Sequence, residues 1–83
     1  MNYCIIEELY CKNMIIADKI VKRVLLYLEN EEYVGVEISI EGIETNKKLM
    51  GILVKNGFKY LKNFIDIPTN KEMLEFKLIL DDK

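Results

Sequence analysis

The chain has 83 residues, 51% of them hydrophobic and 31% charged, with 12 basic and 14 acidic residues and a net charge of −2. That is the balance of one small globular domain, not of a disordered chain, and a pI of about 5.1 argues against a general nucleic-acid binder. There is no His, which removes the commonest general base and metal ligand, and the two Cys are too few for a structural zinc site.

Tyr3 to Leu9 (YCIIEEL) is rich in β-forming residues and predicts a first strand. The N-terminal MNYCIIEEL has neither the basic start nor the small-residue cleavage site of a signal peptide, and no apolar run reaches the ~18 residues that a membrane helix needs. The expectation is a soluble, cytoplasmic protein with no membrane partner. Cys4 and Cys11 would lie roughly 23 Å apart on one strand, beyond disulfide reach, and read as buried or half-buried thiols.

Asn13 to Asn30 predicts a long helix. Ala17, Ile20, Val21, Val24 and Leu28 form a stripe at helical spacing, and Met14, Ile15, Leu25 and Leu26 widen it beyond the ~100° that a surface helix needs. Such a helix requires cover on two sides, and in so short a chain the second cover can come from another molecule. Glu29-Asn30-Glu31-Glu32 reads as a solvated turn. Tyr33 to Ile40 alternates, with Val34, Val36, Ile38 and Ile40 on one face and Glu37 and Ser39 on a wetter one. Glu41 to Glu44 is a loop.

The next helix has its start marked by Thr45, as a cap, and its stop by Asn56-Gly57-Phe58. Gly57 is placed for the left-handed conformation and Phe58 for an apolar contact with Leu53. Lys59 to Ile67 predicts a strand and Pro68 to Glu72 a turn. Met73 to Leu80 alternates as a last strand, antiparallel to the one before it, and Asp81 to Lys83 should fray. The basic clusters Lys19-Lys22-Arg23 and Lys55-Lys59-Lys62 read as solvated faces. The fold class is therefore α/β, a single domain of order β-α-β-α-β-β over residues 1–83, with a small mixed sheet and two helices.

The stretch TNKKLMGILVKNGF resembles the end of a GNAT acetyltransferase domain, whose pattern there is N-x-x-A-x-x-L-Y-E-K-x-G-F. Asn46, Lys55, Gly57 and Phe58 match in identity. The element order is similar to the second half of that fold, and nothing here corresponds to the first half. The resemblance implies a coenzyme A pyrophosphate held on backbone amides at the start of the long helix, in a loop of the form Q/R-x-x-G-x-G/A. In this chain the loop would be Lys12-Asn13-Met14-Ile15-Ile16-Ala17. Lys12, Asn13, Ile15 and Ala17, with Asn46, are the candidate cofactor residues.

Ile15 stands where the loop's first Gly belongs and would crowd a phosphate, and Leu53 stands where the family often has a Tyr acid. Tyr33 and Tyr60 are the substitute acids, and Glu7, Glu8 and Glu37 the candidate bases. No catalytic residue can be assigned from this set. A half-fold leaves the edge of the first strand and one side of the long helix uncovered, which predicts a homodimer. The resulting expectation is a non-catalytic, protein-binding module, regulatory or inhibitory, without a cofactor. The alternative is a small N-acetyltransferase using acetyl-CoA.

Overall fold

The computed structural model describes residues 3–9 and 11–80; Met1, Asn2 and the Asp81–Lys83 end expected to fray lie outside the described residues. Strand β1 spans Tyr3–Ile6, helix α1 Met14–Asn30 and strand β2 Gly35–Glu41. Helix α2 spans Lys47–Lys55, preceded by one 3-10 turn at Glu44–Asn46, and strands β3 and β4 span Lys59–Asp66 and Lys71–Ile79. The expected β-α-β-α-β-β order is observed. β1 is shorter than the sequence suggests, since Glu7, Glu8 and Leu9 leave the ladder.

The four strands lie in the order β1-β2-β4-β3. β1 and β2 are parallel neighbours, and β4 is antiparallel to both β2 and β3. β3 is therefore parallel to β2 but one strand removed from it, because the returning hairpin strand occupies the gap. The two crossovers progress in the same direction across the sheet. With the same right hand, they deliver both helices to the same face.

That face holds the core. Val36, Ile38 and Ile40 of β2 pair with Leu78, Phe76 and Leu74 of β4. Ala17, Val21 and Leu28 of α1 and Leu49 and Leu53 of α2 join them in one cluster with Phe58. The molecule is accordingly a slab only 18 Å through its shortest dimension, one helix layer on one sheet layer.

The opposite face carries Glu37, Lys77 and Lys59 in one cross-strand row and Ser39, Glu75 and Lys62 in the next. It is less open at one end than the alternation of β2 implies. The segment after β1 crosses there: Leu9 donates to the Ser39 carbonyl at 3.1 Å, and Glu8 reaches Lys71 of β4 at 3.5 Å. Ser39 and Met73 are buried beneath it. At the other end the Tyr3 ring lies on Gly35, where a methyl group would stand 2.5 Å from Tyr3 Cε2. The Lys77 ammonium sits 4.6 Å above that ring.

Thr45 does not cap α2. The chain enters it through the 3-10 turn, and the residue before the helix, Asn46, makes no side-chain cap bond. The C-terminus of α2 does follow the sequence. Gly57 has φ +95°, Phe58 N donates to Leu53 O and Gly57 N to Val54 O, both at 3.0 Å. These are the paired bonds of a Schellman stop. α1 ends in the same way: Tyr33 N donates to Leu28 O at 3.1 Å and Glu32 N to Glu29 O at 3.3 Å. The left-handed position is filled here by Glu32, at φ 63°.

A non-glycine residue in that conformation costs about 1 kcal/mol or more, and a carboxylate at a helix C-terminus opposes the dipole. Glu32→Gly should therefore raise unfolding stability by up to about 1 kcal/mol. Gly57→Ala should lower it by ~1–2 kcal/mol, since its methyl would also meet Leu78 Cδ1 at 3.1 Å. Urea unfolding of the two variants beside the parent checks both signs.

Candidate functional site

The amide row at the start of α1 is where the resemblance would place a phosphate. Its local structure follows from Asn13, which has extended backbone and is the N-cap of α1. The Asn13 Oδ1 accepts from Ile15 N at 3.0 Å and from Ile16 N at 3.1 Å, while Ala17 N donates to the Asn13 carbonyl at 2.8 Å. The first-turn donors that would face an anion are thus occupied by the chain's own side chain. A phosphate would have to displace it.

The other candidate residues are placed as follows. Lys12 is exposed. Ile15 projects into solvent at 72% exposure, whereas Ala17, at 2%, is part of the core under α1. Asn46 is buried, and its Nδ2 donates to the Glu41 carbonyl at 2.8 Å, tying the end of β2 to the start of α2. Lys12, Asn13 and Asn46 all follow the C-terminal ends of parallel strands and so share one rim of the sheet. On that rim, Asn13 and Asn46 both hold backbone.

Tyr33 is half-buried against the core, and Tyr60 and Glu37 are not brought together. Leu53, where the resemblance would put a Tyr acid, is fully buried. Tyr60 lies on the helix-bearing face, edge-on to Phe76 with ring centroids 5.8 Å apart, and its hydroxyl donates to Asn63 Oδ1. Glu37 lies on the opposite face, beside Lys77 in the register. A β-sheet separates them, so one substrate cannot meet both. Glu8 is paired with Lys71, and Glu7 lines a shallow groove with Phe64, Asp66 and Met73. No group of three or more Cys, Asp or Glu among the described residues is placed to hold a metal ion. Cys4 and Cys11 are free thiols. No helix among the described residues is long and apolar enough to cross a membrane.

Two further features set the two flanks of α1 apart. One is the outer flank of α1. Ile16, Ile20 and Tyr27 lie within about 40° of one another around the helix, away from the buried line of Ala17, Val21 and Leu28, and all three are exposed. Ile20 also lines a small apolar crevice with Ile6 and Leu9, so this flank faces the β1 side of the sheet. β1 itself is an edge.

The other feature is the inner flank, which is fastened to α2 through Asp18. Asp18 Oδ2 accepts from Lys22 Nζ at 2.8 Å, Lys55 Nζ stands 3.6 Å away, and Asn56 Nδ2 donates to Asp18 Oδ1 at 3.0 Å. The Lys22 and Asn56 hydrogen bonds, with the nearby ammonium charges, hold the Asp18 carboxyl down to a pKa of about 2. This tie joins residues 38 positions apart, and no local pattern announces it.

No protein-family model matches this chain, and neither a curated protein nor a solved structure matches it.

Because the folded pKa of Asp18 is depressed, the stability lent by this tie is complete above the ordinary carboxyl value and is lost as the pH falls from about 4 towards 2. An NMR titration should place Asp18 near 2 in the parent. Asn56→Ala should move it upward, towards the ordinary value of 3.8.

Proposed function

We propose that the chain is a non-catalytic, GNAT-like protein-binding module, regulatory or inhibitory in effect, that works as a homodimer in the cytoplasm. The observation that carries this reading is the exposed apolar flank of α1 standing beside an edge strand with no charged residue in it. Contiguous apolar surface next to unpaired backbone favours association with another polypeptide. Support for the scaffold comes from the β-α-β-α-β-β order and from the Gly57-Phe58 stop of α2, both features of the resemblance carried by Asn46, Lys55, Gly57 and Phe58.

The absence of catalysis is supported by the occupied amides at Asn13 and by the separation of Tyr60 from Glu37 across the sheet. The alternative reading, a small acetyl-CoA-dependent N-acetyltransferase, draws on the same resemblance. It needs Asn13 to release Ile15 N and Ile16 N to a pyrophosphate, with the exposed Ile15 side chain in the way.

Two measurements test the proposal. Light scattering at high micromolar concentration should give twice the 9.8 kDa chain mass; a clean monomer contradicts the homodimer. A thermal-shift titration should show no stabilisation by millimolar acetyl-CoA. Ligand at 100 times its dissociation constant would add about 2.7 kcal/mol, so a clear rise in Tm would overturn the non-catalytic reading in favour of the enzyme.

A further inference from the structure

We infer that the partner of this flank is a second copy of the chain, joined β1 to β1 about a two-fold axis through Cys4, so that two four-stranded sheets become one of eight strands. The inference rests on the homodimer reading and adds its geometry.

The two sheet edges are unlike. β3 carries Lys59 and Lys62 and a register break between Tyr60 and Lys62, and charges and bulges are what protect an edge from pairing. β1, with the sequence YCII, has no such device. Pairing about a two-fold axis is antiparallel and matches the edge to itself.

The helices then come to packing distance. α1 rests over β1 and β2, since Ile20 and Val24 line the same crevice as Ile6, Val36 and Ile38. Strands are ~4.8 Å apart, so a helix above that pair stands about 5 Å from an axis at the new seam. Its copy stands roughly 10 Å away, which is helix-packing distance. The flank turned towards the seam is the one bearing Ile16, Ile20 and Tyr27. A different partner would have to present both an open strand and an apolar helix at this spacing; a second copy presents both by construction.

A large apolar side chain carries on the order of 200 Å². Tyr3, Ile5, Ile16, Ile20 and Tyr27 are between 40 and 67% exposed and offer roughly 500 Å² per copy. That is most of the ~800 Å² per partner in a standard interface.

The register follows from the pleat. Residues opposite one another in an antiparallel pair must share a face, which brings either Cys4 or Ile5 to the axis. With Cys4 there, each Tyr3 faces the partner copy's Ile5 on the open side of the sheet, a favourable aromatic and β-branched pair. Small Cys4 side chains then meet beneath the helices. Opposed Cα atoms in such a pair are about 4.5–5.5 Å apart, within disulfide range.

The test uses the Cys11→Ser protein, whose single thiol is Cys4, with diamide as the oxidant that takes up the two thiol hydrogens. A reductant-sensitive two-chain band on a non-reducing gel is expected, with no such band from Cys4→Ser. Ile5→Lys, at a side chain already exposed in one subunit, should fold and run as a monomer. A dimer in light scattering that gives no Cys4 cross-link, or that survives Ile5→Lys, overturns the arrangement while leaving the homodimer standing. A monomeric parent chain overturns both and assigns the flank to some other protein.

Discussion

Helix α1 carries more apolar surface than one face of a four-stranded sheet can cover. Ala17, Val21 and Leu28 take the available cover, and the next residues around the helix, Ile16, Ile20 and Tyr27, remain in water. A two-layer slab has no second sheet to offer them. Removing such surface from water is worth roughly 25 cal/mol per Å², and a chain of this size has little stability in reserve. The same excess therefore marks the side of the chain on which burial of apolar surface would add most stability.

The rest of the structure holds α1 so that this flank is presented in a fixed direction. On the inner side, the Asp18 carboxylate gathers Lys22, Lys55 and Asn56 and joins α1 to the end of α2. At its start, Asn13 closes the first turn. At its end, the bonds from Tyr33 and Glu32 turn the chain into β2. The arrangement that seats Asn13 on the amides of Ile15 and Ile16 also makes this helix start a poor place for phosphate.

Much of this is legible in the sequence. Gly57 and Phe58 announce the end of α2 because glycine is nearly alone in tolerating that backbone conformation cheaply. The strand alternation of β2 and β4 and the over-wide stripe of α1 were equally plain. Asn13, which the resemblance makes part of a phosphate loop, is the N-cap of α1, as an Asn directly before an apolar periodic run signals. Thr45 erred the other way, since an intervening 3-10 turn moved the helix start past it.

What lay outside local reach was long-range or counter to type. The placement of β4 between β2 and β3 depends on which side of its partner the hairpin folds, and adjacent residues do not encode that. The Asp18–Asn56 bond spans 38 positions. Glu32 holds a left-handed turn that its residue type disfavours, closed by its own N–H donating to the Glu29 carbonyl and by Tyr33 N–H donating to the Leu28 carbonyl.

Hydrogen exchange at the β1 backbone tests the central claim most directly, because amides on an unpaired edge exchange freely and paired ones do not. The account predicts that protection at Tyr3–Ile6 rises with protein concentration while β3, the other edge, stays unchanged. Exchange across β1 at one rate from dilute to concentrated solution would contradict it.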